Sequence, residues 1–265
     1  MRRLTVDDIP AGLRLCRASG WNQLDEDWRV FTGGFLAERN GEVVGSVAFL
    51  RYDTFAWIAM MLVDPQRRGE GIGAQLMNQA LHALDGAPCI GLDATPAGQR
   101  LYRHFDFASA YPLARYKSAA ASAPMSGTAR PMTESDLPAV FRRDREVFGA
   151  DRSRLLASLF QRSPECAWIA GDGYSFGRPG YLYHQLGPVV APDRDTARAL
   201  VSHCCSAVLG RRLAIDPPQL DPQWLEWLKS VGFEEERPFV RMFRRGDTPP
   251  GDLARQYAIT GPEFA

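Results

Sequence analysis

Net charge is the first thing this chain lacks: 31 basic and 31 acidic residues cancel over 265 positions. No whole-protein field therefore draws in nucleic acid or an anionic membrane, and a small-molecule partner is expected. Nor is there an uninterrupted run of about eighteen apolar residues, the minimum for a membrane helix. The amino terminus enters a polar helix signal rather than a secretory apolar stretch, so the expected location is the cytosol. Cysteine pairs are missing as well. Cys16, Cys89, Cys166, Cys204 and Cys205 are odd in number and without Cys-x-x-Cys spacing, which argues against a disulfide framework or a zinc site and for buried thiols. His82, His104, His184 and His203 lie far apart in sequence, and no metal is expected.

What the chain does have is apolar content, 45% of its residues, enough for the cores of two ordinary domains. It also has the loop Val63-Asp64-Pro65-Gln66-Arg67-Arg68-Gly69-Glu70-Gly71-Ile72-Gly73, between an apolar strand and a helix. Glycines at every second position let the backbone curl into a nest of N–H groups, and a helix starting near Gly73 aims its positive end at the same place. That combination suits a pyrophosphate. The segment Gly69 to Ala74 also fits a dinucleotide fingerprint with Asp93 downstream, but such a fold opens on strand, loop and helix, whereas about sixty residues precede this loop. Those residues contain two helical stretches and a meander. Asn40-Gly41 joins two short apolar runs as a type I′ hairpin, and Phe55 to Val63 is apolar throughout, as a buried central strand requires. Ile72, Leu76, Ala80 and Leu84 then mark one helix face. Cys89 to Asp93 reads as a further strand, with a short helix through Leu101 to Phe107.

Arg68-Gly69-Glu70-Gly71-Ile72-Gly73 resembles the Arg/Gln-x-x-Gly-x-Gly/Ala signature of the Gcn5-related N-acetyltransferases (GNAT), and Leu101-Tyr102-Arg103-His104-Phe105-Asp106-Phe107 resembles their Leu-Tyr-x-x-x-Gly-Phe motif. The likeness runs from residue 1 to about 117. It departs at Asp106, where the family usually has Gly, and at Thr95, where it often has a cofactor-contacting Asn. Gly20-Trp21-Asn22, Leu92 to Gly98 and an extra carboxy-terminal domain resemble a bacterial two-domain subgroup. The resemblance implies an α/β fold with a mixed α+β sheet and acetyl-coenzyme A as cosubstrate, without a metal. Met61, Leu62 and Val63 would pair with the pantetheine arm. Arg68, Gly69, Glu70, Gly71, Ile72 and Gly73 would hold the pyrophosphate, Thr95 would stand beside the cofactor, and Tyr102 would be the general acid. Trp21 and Asn22, an aromatic and an amide on one turn, are candidate acceptor contacts. Asp25 lies in the early helical region that walls the acceptor pocket in similar enzymes, although the run Asp25-Glu26-Asp27 also reads as a solvated helix face, and no general base is visible. The implied reaction is direct attack of a small molecule's primary amine on the acetyl group in a ternary complex. The alternative is a non-catalytic acyl-coenzyme A sensor. Oligomeric state is open.

A linker-like run of small residues from Ser118 to Thr128 divides the chain into residues 1–117, a linker 118–129, and residues 130–265. Landmarks then recur at an offset of 126 to 128 residues: Pro10 and Pro138, Val63-Asp64-Pro65 and Val190-Ala191-Pro192, Asp106-Phe107 and Gly232-Phe233. The pattern reads as tandem copies of one acyl-CoA N-acyltransferase fold. The second copy is degenerate, because Asp193-Arg194-Asp195-Thr196-Ala197-Arg198 replaces the glycine loop and Leu228 stands in the place of Tyr102. No coenzyme A site is expected there. The tail after Pro249, anchored by Tyr257, Ile259 and Phe264, is expected along the interface of the two copies, closing one side of the acceptor pocket.

Overall fold

The computed structural model describes residues 1–119, 127–246 and 250–265; most of the expected linker, residues 120–126, lies outside the described residues. The first half runs β1 (Arg2–Arg3), α1 (Ile9–Ala18), α2 (Asp25–Trp28), β2 (Gly33–Arg39), β3 (Glu42–Arg51), β4 (Ala56–Val63), α3 (Ile72–Ala83), β5 (Ile90–Ala94), α4 (Pro96–Arg103) and β6 (Ala108–Ser118). The second repeats that order as β7 (Arg130–Pro131), α5 (Leu137–Phe148), α6 (Ser153–Arg162), β8 (Trp168–Ala170), β9 (Gly173–Arg178), β10 (His184–Val190), α7 (Arg194–Ala207), β11 (Leu213–Ile215), α8 (Pro222–Ser230) and β12 (Glu234–Arg244), and adds β13 (Gln256–Ala258).

The duplication is visible atom by atom. Asp8 accepts both arms of Arg2 at 2.7 and 2.6 Å and the Thr5 N–H and hydroxyl at 2.8 Å each. Asp136 does the same with Arg130 at 2.7 and 2.6 Å and with Thr133 at 2.8 Å twice. In both places a carboxylate closes the turn that starts the first helix of its half. Local readings hold elsewhere too. Asn40 and Gly41 have φ of 52° and 80°, the type I′ geometry between β2 and β3. Helix α3 buries Ile72, Leu76, Met77 and Ala80 against β2, β3 and β4.

The two halves do not close separately. The strand order is β1-β2-β3-β4-β5-β12-β6-β11-β10-β9-β8-β7, with β13 alongside β10, so all the strands form one sheet. Strand β12 of the second half lies between β5 and β6, antiparallel to both, and β6 continues onto β11. Each half thus completes its sheet with the other's last long strand. Two buried ion pairs mark the exchange: Arg115 on β6 meets Asp216 at 2.8 and 2.7 Å, and Arg241 on β12 meets Asp93 on β5 at 2.8 Å through Nε and through Nη2. One core packs α3 and α4 on the first half, another packs α7 and α8 on the second. A third, under α1, α2, α5 and α6, is shared by both halves and includes Phe264 of the tail.

Asp106 explains its departure from the motif. Its φ is 62°, in the left-handed region, and its counterpart Gly232 has φ 94°. Aspartate tolerates this conformation better than most residues, but glycine does so without a Cβ penalty. The Asp106–Arg244 contact, 3.7 Å with an exposed carboxylate, contributes little. Asp106→Gly is expected to stabilise the fold by roughly 0.5–1 kcal/mol, read as a rise in the urea midpoint at constant m-value.

Candidate functional site

A bulge in β4 creates the site. Ala59 pairs with Ala48 and Leu62 with Ser46, so β4 carries one residue more than β3 over this interval. Met60 absorbs the distortion with φ 50°, and the Ser46 hydroxyl donates to its carbonyl at 2.9 Å. A β-bulge bends its strand and sharpens the local twist. Accordingly, β4 and β5 pair only at Ala56–Ile90 and Trp57–Gly91. Beyond Trp57 the strands splay, β5 continues on β12 alone, and the inner edge of β4 is left without a strand.

The splay opens into a groove of about 650 Å³ bounded by Met61, Leu62 and Val63 on one side and the glycine loop on the other. Met61 and Val63 are the half-buried members of an otherwise buried strand, which is why they reach its wall. Gly69 and Gly71 have φ of 88° and 75°, and Gly71 is the N-cap of α3. A side chain at either would meet no neighbour, so backbone conformation and not space demands glycine. Gly71 contributes its carbonyl to the first helical bond, from Gln75 N–H at 3.1 Å, while the N–H groups opening α3 point out of its end. Arg67, Arg68, Ile72 and Gly73 line the groove; Glu70 does not, and pairs with Arg67 at 3.3 Å. Thr95 lines it as well, its hydroxyl capping α4 by accepting from Gly98 N–H at 3.3 Å.

Tyr102 stands where this groove meets a second, tighter cavity of about 50 Å³; Trp21, Met61, Thr95 and Tyr102 border both. Burial pushes the Tyr102 phenol up to about 12, so it stays protonated through neutral pH. No hydrogen bond from the described residues engages its hydroxyl. A Cβ at Gly98 would sit 2.9 Å from the Tyr102 ring, so that glycine leaves room for it.

The inner cavity is lined from both halves: Gln23, Ile58, Leu92 and Asp93 from the first, Arg237, Phe239, Pro262 and Glu263 from the second, and Arg115 from the exchanged strand β6. Its floor is the tail. Trp57 Nε1 donates to the Pro262 carbonyl at 2.9 Å, the Tyr52 hydroxyl to the Phe264 carbonyl at 2.7 Å, and Phe264 stacks on Phe31 at 5.9 Å. Glu263 is held by Arg178, which also donates to Asp27 at 2.8 Å.

Two expected acceptor contacts lie elsewhere. Asn22 is buried, but its carboxamide donates to the Tyr183 carbonyl at 3.1 Å and accepts from the N–H groups of Leu182 and Tyr183 at 2.7 and 3.0 Å. It clamps the halves together and lines neither cavity. Asp25 is partly exposed and paired with Arg29, the residue that caps the end of its own helix. Asp27 is fully buried as a structural anion between Arg162 and Arg178. Asp93, the residue a dinucleotide fold would use, is occupied by Arg241. The cysteines are free and, except for the half-buried Cys89, buried; burial pushes Cys16, Cys204 and Cys205 up to about 12, so they are neutral packing groups. Sequence reading missed Gln23, Arg115, Arg237, Phe239 and Glu263.

In the second half the matching gap is filled. β10 is bulged against β9 between Leu186 and Val189, and it pairs with β11 only from His184 to Leu186. Into the opening comes the protein's own tail: Val189 pairs with Ala258, Val190 with Gln256, and Ile259 N–H donates to the Asp216 carbonyl at 3.1 Å. A Cβ at Gly187 would fall 2.0 Å from the Ile259 carbonyl oxygen, so glycine is what lets the tail approach. At the start of α7 the Asp193 carboxylate already takes the Thr196 N–H at 2.8 Å, and none of residues 191–196 has a positive φ.

A mixed sheet split beside a bulged strand, with a glycine cradle at the mouth of the split, defines an acyl-coenzyme A transferase fold. Two family models, each described as an acetyltransferase (GNAT) domain, match residues 32–109 and 140–258. The chain belongs to the GNAT family as a tandem of two such folds, and it is an acyltransferase. Among its relatives is an uncharacterized N-acetyltransferase, YitH, of Bacillus subtilis strain 168, 25% identical over 268 residues, covering 95% of this chain and 94% of that protein. Another is a holothin acyltransferase of Pseudoalteromonas sp. strain SANK 73390, 28% identical over 243 residues, covering 88% and 81%. The crystal structure of a proposed acetyltransferase from Pyrococcus horikoshii superposes with a TM-score of 0.83 at 23% identity, covering 100% and 95%, which speaks to the fold alone. Among the described residues no helix is long and apolar enough to cross a membrane.

Proposed function

We propose that this protein transfers the acetyl group of acetyl-coenzyme A to a primary amine of a small molecule by direct attack in a ternary complex, using the first half alone. The observation that carries this reading is the unpaired inner edge of β4 beyond Trp57, which leads into the positive-φ loop Gly69–Gly71 while the matching edge of β10 is covered by β13. An extended pantetheine arm fits the free edge at Met61, Leu62 and Val63 as an added strand would, and a pyrophosphate fits the N–H groups from Arg68 to Gly73 with the Arg68 side chain beside them. Thr95 borders the same channel.

Acetyl-coenzyme A supplies an electrophilic thioester carbon and a thiolate leaving group. The chain's own contribution is positioning and one proton. Trp21 and Met61 border the passage between groove and cavity and keep an amine in the cavity oriented toward the groove. Tyr102, neutral and without another partner among the described residues, donates its phenolic proton to the departing sulfur. Glu263 and Asp93 are the carboxylates lining the cavity, and both are held by arginines, so the amine loses its proton to water.

Calorimetry tests the assignment. Acetyl-coenzyme A should bind at one site per chain. Gly71→Val puts a β-branched side chain at φ 75°, about 1–2 kcal/mol of strain at the pivot of the nest, and should weaken binding by roughly tenfold or more. Two sites per chain, or parent-like affinity in the variant, would overturn it. Thiol release with an amine panel then separates an enzyme from a sensor.

A further inference from the structure

Among the charged residues that line the inner cavity, Asp93, Glu263 and Arg115 each sit in an ion pair and Arg237 does not. Asp93 is paired with Arg241 and Asp216 with Arg115, while Asp27 is held between Arg162 and Arg178 and Glu263 by Arg178. Glu236, next to the cavity-lining Arg237, is taken by Lys117 at 2.5 Å. Arg237 itself forms no ion pair among the described residues: its Nε is buried without a hydrogen-bond partner there, and the guanidinium lies 5.0 Å above the Phe239 ring.

The backbone register aggravates this. Arg237 on β12 sits directly opposite Arg115 on β6, a cross-strand pair of like charges, with Arg115 5.9 Å from the same ring. Like charges facing each other across a sheet are destabilising. Burial, and then the charge of Arg115, push the Arg237 guanidinium down from its ordinary value. A half-buried cation kept beside another cation, with a donor unsatisfied, is costly unless something anionic completes it. Gln23 presents the complementary vacancy from the opposite half: it is buried, it lines the same cavity, and its Oε1 has no partner among the described residues. One cavity therefore offers an unused guanidinium donor and an unused carboxamide acceptor between apolar walls at Ile58, Leu92 and Phe239.

Resting on the acetyl-transfer reading, we propose that the acceptor is a small amine that also carries a carboxylate, the carboxylate seated on Arg237 and the amine N–H accepted by Gln23. A planar guanidinium fork matches a carboxylate bidentately, whereas an ammonium at that position would act as a point charge. The complex gains the ion pair and also relieves the Arg237–Arg115 repulsion, so selection against a neutral analogue is built into the cavity.

The test uses the full-length protein and matched pairs: ω-amino acids from glycine to 6-aminohexanoate, and phenylalanine, each against the amine lacking the carboxylate. Acetylation is followed as kcat/KM, and calorimetric binding is measured separately. At least one acid should exceed its partner by roughly tenfold or more, a charge-assisted bond's worth. Arg237→Gln should collapse that ratio and Arg237→Lys restore part of it, with melting temperature recorded to confirm that both variants fold. Equal handling of every pair, or a ratio that survives Arg237→Gln, would overturn the proposal. If no amine is acetylated but an acid binds and its binding is lost in Arg237→Gln, the transfer reading fails and this one stands; if no acid binds either, this one fails.

Discussion

Asp93→Ala should lower the stability of the whole molecule by about 3–5 kcal/mol, the range found when one partner of a buried ion pair is removed and the other is left uncompensated. Arg241 is nearly inaccessible and spends two nitrogens on Asp93, a third on the Tyr111 hydroxyl at 3.0 Å, and its face on the Trp57 ring at 4.6 Å. None of these groups can move to water without pulling β12 out from between β5 and β6. Because β12 belongs to the other half in sequence, loss of Asp93 should act on both halves together. Urea unfolding monitored by tryptophan fluorescence and by far-ultraviolet dichroism should shift by the same amount. The double variant Asp93→Leu with Arg241→Met, which removes both charges, should recover most of the loss. By contrast, Arg2–Asp8, similar in geometry but with a 40% exposed arginine side chain, should be worth about 1 kcal/mol or less. If Asp93→Ala cost no more than that, the exchanged strands would be held by backbone pairing and apolar contact, not by the ion pairs.

The strand exchange could not be read from sequence for a specific reason. β6 and β12 are both eleven-residue strands at matching places in the repeat, each with an arginine, Arg115 or Arg241, facing an aspartate at the end of a short strand. Either could complete either half by local pattern, so the sequence is satisfied by two separate domains or by one sheet. What the sequence did carry were elements whose determinants are close together, the Asn40-Gly41 turn, the face of α3 and the positive-φ glycine loop, and the landmarks of the repeat. The motif from Leu101 to Phe107 was legible for the same reason, since it is contiguous.

The acceptor cavity was not legible because its walls come from residues more than two hundred positions apart, Gln23 to Glu263. Asn22 shows the cost of a local reading. On a turn beside Trp21 it reads as an acceptor contact, yet the three hydrogen bonds of its carboxamide go to residues 182 and 183, which the structure folds over it. A sequence signal did exist for part of what was missed: Arg115 and Arg241 recur at the offset of the Asp106-Phe107 and Gly232-Phe233 landmarks, and arginines repeated within apolar strands imply buried partners. For Arg237 no such signal exists, since its isolation depends on where every neighbouring carboxylate is spent.

Tyr102→Phe should reduce kcat by roughly 10² to 10⁴, the usual value of a positioned general acid, with little change in affinity for acetyl-coenzyme A. The hydroxyl is the only atom removed. It has no hydrogen bond among the described residues, and the ring keeps its edge-on contact with Phe107 at 6.2 Å, so the variant should unfold at the parent's urea concentration and a drop in rate cannot be ascribed to misfolding. The pH profile supplies a second readout. Since burial raises the phenol to about 12, the group is in its donating form below that value, and ionisation of Tyr102 should cost activity only as pH approaches it. Any alkaline loss nearer neutrality must then belong to another group and should persist in the variant. The rate has to be taken under single-turnover conditions, where product release does not mask the chemical step. A Tyr102→Phe enzyme with the parent's single-turnover rate would remove Tyr102 from the chemistry and leave proton delivery to solvent entering between Trp21 and Thr95.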